Sequence, residues 1–311
     1  MDSRVAVASL GGTITMTGSG AVSPTLGAQD LVQGLDVGEI ATLATIPGAS
    51  LTFTTLLETF DWASEQVSLG AAGVVIIQGT DTLEETAYFF DCLWPHEEPL
   101  VVTGAMRHPG LAGPDGPANL AAAVSVAGAP NSRGRGALLV LNDSIHAARW
   151  VRKTHSSLPN AFESFPGPLG LVVEGTPRYF HPAHQLPALP RPLDAPAVPL
   201  VEATVDDDGS LLDWLDVRGV VVAASGVGHV SVGMAEAISR ARFPVVIANR
   251  TGAGTTFRNT YGFVGSESDL IGRGVVMAGW LCPRKARVLL RLALGSMQPI
   301  GDVFAARGSV F

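Results

Sequence analysis

At 311 residues, 47% of them hydrophobic and 15% charged, the chain has enough apolar material for two domains with substantial cores, which excludes a disordered polymer. Its net charge of −8 lacks the basic excess that binding a phosphate backbone requires, so the expected partner is a small molecule and not nucleic acid. Cys92 and Cys282 are far apart and lack metal-ligand spacing, so neither a disulfide framework nor a metal site is expected.

Met1-Asp2-Ser3-Arg4 leads almost at once into an apolar run with no export segment ahead of it, and no stretch of about 18 apolar residues follows. A cytoplasmic protein with no membrane role is the expectation. The first run, Val5 to Leu10, reads as a buried parallel strand and ends in Gly11-Gly12-Thr13. A helix is predicted from Ala28 to Gly34. Val74 to Gln78 reads as the next strand, followed by Gly79-Thr80-Asp81-Thr82 and a helix from Leu83 to Leu93. Thr82 with Glu85 three positions on predicts a capping box, and Glu84 and Glu85 suit the positive helix start. Leu100 to Thr103 is a strand. Pro117 to Ala127 is an alanine-rich helix with Asp115 just ahead of it, and Ala137 to Leu141 is a strand ending at Asn142-Asp143.

From His181 to Leu200, six prolines exclude helix and central strand, so this stretch is read as a stiff connector. Beyond it, strands are predicted at Val201 to Val205, Val220 to Ala224 and Pro244 to Ala248, with helices at Ser231 to Arg242 and Arg284 to Leu294. The alternation predicts an α/β fold of two domains, each a mostly parallel sheet flanked by helices in a Rossmann-like or flavodoxin-like manner. The larger N-terminal domain spans 1–185, a proline-rich linker 186–200, and the smaller C-terminal domain 201–311.

Two of these strands deliver a threonine, Thr13 and Thr80, to a carboxyl edge, where open α/β sheets bind ligands. A threonine hydroxyl is a weak nucleophile and needs a partner to take its proton, a task a lysine performs when burial favours its neutral form. Backbone N–H groups at Gly12 and at Gly79 to Thr80 are suited to an oxyanion. Each feature also has a plainer structural reading. The threonines serve as turn or cap residues, Lys153 beside Arg149 and Arg152 belongs to a solvated face, Ser50 makes a loop hydrogen bond, and His229 is a local structural histidine. Gly226-Val227-Gly228 begins like a dinucleotide fingerprint, but Ser231 stands where its third glycine belongs, which argues against a nicotinamide enzyme.

Leu10-Gly11-Gly12-Thr13-Ile14 and Gly79-Thr80-Asp81-Thr82-Leu83-Glu84-Glu85-Thr86-Ala87-Tyr88 resemble the two signatures of the bacterial-type L-asparaginase family. The likeness continues in order through Val102-Thr103-Gly104-Ala105-Met106-Arg107, Asp115-Gly116-Pro117-Ala118-Asn119-Leu120, Leu141-Asn142-Asp143, Val151-Arg152-Lys153-Thr154 and Lys285-Ala286-Arg287. The resemblance implies hydrolysis of a side-chain amide, asparagine giving aspartate and ammonia, without metal or organic cofactor. It implies Thr13 as nucleophile forming an acyl-enzyme, with Thr80, Asp81 and Lys153 as a second catalytic group. Asp81 would also hold the substrate's α-amino group and Ser50 its α-carboxylate, with Gly12, Gly79 and His229 lining the substrate.

The resemblance further implies a homo-oligomer, a dimer or a tetramer of two close dimers, with the loop Met16 to Leu26 closing over the site. Secreted members of the family carry a tyrosine on that loop, whereas Met16 to Ala28 contains none and Ala21 falls at that position. They also use an asparagine and a glutamate from a neighbouring subunit, and His229 and Thr255 are the nearest matches here. The same machinery acting on another amide, glutamine or a biosynthetic intermediate, and a ligand-binding protein with little turnover remain the alternatives.

Overall fold

The computed structural model describes residues 4–18 and 20–309. Its strands are β1 (Ala6–Gly11), β2 (Met16–Thr17), β3 (Ser23–Pro24), β4 (Ile40–Ile46), β5 (Val74–Ile77), β6 (Leu100–Thr103), β7 (Ala137–Leu141), β8 (Ser144–Ala147), β9 (Val151–Lys153), β10 (Phe162–Ser164), β11 (Gly170–Val173), β12 (Thr176–Tyr179), β13 (Leu200–Glu202), β14 (Val220–Ala224), β15 (Val245–Asn249) and β16 (Val276–Met277). Its α-helices are α1 (Ala28–Leu31), α2 (Phe53–Ser68), α3 (Leu83–Leu93), α4 (Gly116–Gly128), α5 (Val232–Arg240), α6 (Glu267–Gly272), α7 (Pro283–Gly295) and α8 (Ile300–Arg307). The chain divides into two compact units between Ala188 and Leu189, within the proline-rich stretch, where residues 182–199 form neither helix nor strand. Among the described residues no helix is long and apolar enough to cross a membrane.

The first unit is built on an eight-stranded sheet in the order β12-β11-β8-β7-β6-β5-β1-β4. Its parallel part, β4-β1-β5-β6-β7, has the spatial order 2-1-3-4-5 when the strands are counted along the chain. In sheets wound this way the connections leave in opposite directions beyond the β1/β5 pair, and the crevice at those carboxyl ends is where ligands sit. The central strands are the apolar, β-branched runs of the sequence, and all four residues of β5 are fully buried, as a strand covered on both faces requires. Val75 and Ile77 of β5, Val101 of β6, and Leu138 and Val140 of β7 share one face with Leu120, Ala123, Val126 and Ala127 of α4.

Beyond β7 the sheet turns antiparallel through a two-residue hairpin at Asn142 and Asp143, whose φ angles of 51° and 58° are those of a mirror-image turn that Asn and Asp tolerate. The carboxylate of Asp115 does not cap α4. It accepts the backbone N–H groups of Met106 (3.0 Å) and Arg107 (2.8 Å) and the amide of Asn119 (3.1 Å). Asn119 in turn donates to the carbonyl of Gly104 (3.0 Å) and accepts from Asn142 N–H (2.9 Å), tying the ends of β6 and β7 together.

Several local expectations need correction. The first helix ends at Leu31 and not Gly34, and the chain passes into a turn in which Leu35 N–H donates to the carbonyl of Val32 at 3.0 Å. The hydroxyl of Thr82 makes no capping bond to α3 and donates instead to the carbonyl of Gly48 at 2.8 Å. The sixteen-residue helix α2 went unpredicted, although Thr52 caps it, accepting from Thr55 N–H at 3.1 Å, and Leu56, Phe60 and Ala63 bury one face at helical spacing.

The second unit carries a parallel sheet, β13-β14-β15-β16, in chain order. Its proline-rich entry segment lacks many N–H groups but still has carbonyls to satisfy. Arg287 donates to the carbonyl of Val198 (2.8 Å), and Arg291 to those of Pro196 (2.9 Å) and Ala195 (3.1 Å). Burial, followed by the neighbouring charge of Arg287, pushes the Arg291 guanidinium down to about 10.

Asn119→Ala removes one donor and one acceptor from a buried junction. It is expected to lower unfolding stability by about 1–3 kcal/mol, read from the urea midpoint with an unchanged slope.

Candidate active site

Three glycines bring the candidate residues of the first unit together. Gly12, at the end of β1, has φ 89°, and a Cβ placed on it would lie 2.1 Å from the nitrogen of Gly79 and 2.2 Å from its Cα. A Cβ on Gly48 would lie 2.8 Å from the carbonyl oxygen of Gly79, and one on Gly79 would lie 2.8 Å from the nitrogen of Gly48. Three chain segments thus meet backbone against backbone, at distances no side chain permits. Each then leads directly to a candidate: Thr13 follows Gly12, Thr80 follows Gly79, and Ser50 lies two residues beyond Gly48.

Thr13 is half-buried and opens a single 3-10 turn, Thr13–Thr15, closed when the Thr15 hydroxyl donates to the carbonyl of Gly12 at 2.7 Å. Thr80 is 4% exposed, and Lys153 Nζ donates to its Oγ1 at 2.8 Å. The same Nζ stands 3.5 Å from Asp81 Oδ1, with the lysine side chain 16% exposed and the aspartate 61%. The structure therefore joins Thr80, Asp81 and Lys153 in one cluster, although 72 residues separate the aspartate from the lysine. Ser50 is exposed at the end of the 3-10 turn Gly48–Ser50. Thr82 bonds to Gly48, and Gln78 Nε2 donates to the carbonyl of Gly79 at 3.3 Å, so two side chains from the β5 loop brace the glycine junction.

Two functional-site features escaped the sequence reading. Glu84 reads in sequence as a favourable charge at a helix start, but it is 2% exposed and its Oε2 accepts the backbone N–H of Lys153. Its place in the first turn of a helix that follows a candidate loop was the available signal. His229 belongs to the second unit, where its Nε2 lies 3.0 Å from Oε2 of the fully buried Glu267 and its ring stands edge-on to Tyr261 (4.9 Å) and Phe263 (5.0 Å). Glu267 Oε1 accepts the N–H groups of Thr260 (2.7 Å) and Tyr261 (2.6 Å). The carboxylate thus anchors a loop and an imidazole together, and only the histidine was apparent from the sequence.

Residues 4–185 match the family described as Asparaginase, N-terminal, and residues 197–303 match the Glutaminase/Asparaginase C-terminal domain. The chain belongs to the asparaginase family. It is therefore an amidohydrolase, acting on a small-molecule amide. It is 36% identical over 254 residues to a probable L-asparaginase of Deinococcus radiodurans, an alignment covering 77% of each chain. With an L-asparaginase of Bacillus licheniformis it shares 33% identity over 323 residues, covering 95% of this chain and 97% of the other. The crystal structure of a probable cytoplasmic L-asparaginase from Campylobacter jejuni superposes with a TM-score of 0.88 at 29% identity, covering 98% of this chain and 99% of that one.

Gly12→Ala forces a methyl group into the main chain of Gly79 and is expected to abolish activity and lower the yield of folded protein, whereas Gly301→Ala, in open space and outside the left-handed region, leaves activity intact. The second-unit cluster gives a pH prediction. Burial pushes the Glu267 carboxyl up, but hydrogen bonds from the backbone of Tyr261, of Glu267 itself and of Thr260, and from His229, outweigh it and hold the group below its ordinary 4.5. A folded-state value below the unfolded one contributes stability that is present above that ordinary value and is lost as the pH falls. Urea midpoints are therefore expected to drop as the pH falls below about 4.5, and less steeply in Glu267→Gln than in the wild type.

Proposed function

We propose that this chain hydrolyses the side-chain amide of asparagine to aspartate and ammonia, with Thr13 as nucleophile. The observation that carries the reading is the 2.8 Å contact between Lys153 Nζ and Thr80 Oγ1 at the carboxyl end of β5, the strand paired directly with the one that presents Thr13. The names of the Deinococcus and Bacillus relatives support asparagine as the amide.

In the proposed reaction, Thr13 Oγ attacks the amide carbon, and its proton is taken up through the Thr80 and Lys153 pair. With Lys153 as the free amine, the contact runs in reverse, the Thr80 hydroxyl donating to Nζ. The tetrahedral oxyanion is held by backbone N–H groups at Gly12 and at Gly79 to Thr80, a kind of donor worth about 3–4 kcal/mol of barrier when removed singly. The C–N bond breaks, the nitrogen leaves as ammonia with the transferred proton, and a β-aspartyl ester remains on Thr13. Water, activated by the same pair, attacks the ester carbon, releases aspartate and restores the Thr13 hydroxyl. The exposed carboxylate of Asp81 takes the substrate's α-ammonium group, and Ser50 takes the α-carboxylate. His229, whose imidazole is fixed by Glu267, is proposed as a further substrate contact through the oligomer.

The enzyme is proposed to work as a homo-oligomer, a dimer or a tetramer of two close dimers, and in the cytoplasm, the compartment ascribed to the solved Campylobacter relative.

Ammonia release from asparagine, glutamine and a panel of other primary amides tests the reading. Thr13→Ala, Thr80→Ala and Lys153→Met are each expected to reduce kcat by at least about 10³-fold while leaving the fold intact. Wild-type turnover in Thr13→Ala would remove that residue from the mechanism, and a preference for another amide would retain the machinery but change the substrate.

A further inference from the structure

The strand that bears Lys153 is not part of the sheet that positions the two threonines. β9 is three residues long and pairs with β10 in a separate two-stranded ribbon, Lys153 opposite Phe162 and Arg152 opposite Glu163. The register of β1 on β5 therefore fixes the segments of Thr13 and Thr80 but says nothing about where a lysine on that ribbon stands. Yet Nζ must come within hydrogen-bond reach of Thr80 Oγ1, and a misplacement of about 1 Å in a reacting group can cost about 10²-fold in rate.

Glu84 bridges the two. It lies in the first turn of α3, four residues after Thr80 on the same continuous segment, and its Oε2 accepts the backbone N–H of Lys153, 69 residues away. It is 2% exposed, and a carboxylate withdrawn from water this far is costly unless its oxygens are bonded. A carboxylate at that position also benefits from the positive end of α3, a benefit it would retain if it faced solvent, as Asp81 does. Aiming it inward at the main chain of Lys153 serves a different end.

We infer that Glu84 is a positioning residue for Lys153, pinning the lysine's main chain so that Nζ reaches Thr80. It touches neither substrate nor the reacting atoms. The inference rests on the reading of Lys153 as the group that exchanges a proton with Thr80, and extends it by naming what holds that group in place. For this contact the carboxylate is needed as an acceptor and for its length. Glu84→Gln keeps a carbonyl oxygen at the same reach, whereas Glu84→Asp keeps the charge but withdraws the oxygen by one methylene, and Glu84→Ala removes it.

The test is steady-state ammonia release from asparagine by the full-length enzyme carrying each substitution, alone and combined with Lys153→Met. Glu84→Ala and Glu84→Asp are expected to lose about 10²-fold in kcat with KM changed by less than about threefold, because Asp81 and Ser50 are untouched. Glu84→Gln is expected to stay within about fivefold of wild type, and in the Lys153→Met background neither Glu84→Ala nor Glu84→Asp should cost more, since two residues acting through one group are not additive. If Glu84→Ala fails to fold, Glu84→Asp and Glu84→Gln decide the matter by themselves. The inference is overturned if Glu84→Asp retains wild-type kcat, if Glu84→Gln is as damaged as Glu84→Asp, or if the loss persists in the Lys153→Met background. An inactive Lys153→Met beside a fully active Glu84→Asp defeats the positioning role alone, whereas a fully active Lys153→Met defeats the proton-transfer reading and the positioning role with it.

Discussion

The candidate site depends on main chain packing directly on main chain, where Gly12 lies against Gly79 and Gly79 against Gly48. Nothing larger than hydrogen fits between these segments, so β1, β5 and the turn after β4 converge to a point that ordinary residues would hold apart. The convergence occurs at the β1/β5 pair, where the order 2-1-3-4-5 opens a crevice in the sheet. Topology opens the crevice and glycine brings its walls together, which places the candidate threonines and serine on neighbouring segments. The long side chain in the cluster, Lys153, arrives from outside the sheet and needs its own tether.

The parts of the fold that could be read from the sequence were those where the strand is wholly buried. Val74 to Ile77, Leu100 to Thr103, Ala137 to Leu141 and Val220 to Ala224 are unbroken apolar runs, and each emerges within a residue of its expected bounds. β4 escaped notice because it is the sheet's edge, with Leu43 and its neighbours partly exposed and its polarity mixed. The antiparallel strands β8 to β12 are short, β9 to β12 are partly exposed, and Pro177 interrupts the last of them. The helix α2 carries both a cap, at Thr52, and a helical apolar stripe, so its signal is present in the sequence.

Within the candidate site, the residues that resemblance pointed to were apparent because their neighbours in sequence are distinctive, whereas their supports were not. Glu84 and Thr82 look like ordinary residues at a helix start, and their roles lie in contacts with Lys153 and Gly48, 69 and 34 residues away, which no local pattern encodes. Asp115 presents the same case, a carboxylate in the capping position that serves the loop of Met106 and Arg107 instead. The second unit repeats it, with a buried Glu267 that sequence spacing does not connect to His229. For Glu84 and Glu267 a carboxylate is withdrawn from water and a partner lies 69 or 38 residues along the chain, because burial without such a partner is what the fold cannot tolerate.

In the proposed reaction the hydroxyl at the end of β1 becomes covalently bonded to the substrate's amide carbon, supported by its counterpart at the end of β5. The most direct measurement is peptide-mapping mass spectrometry of the enzyme after incubation with an asparagine analogue in which a diazoketone replaces the amide. One equivalent of adduct is expected on Thr13, blocked by excess aspartate and absent from Thr13→Ala. Adduct on Thr80, or unchanged labelling in Thr13→Ala, would contradict it.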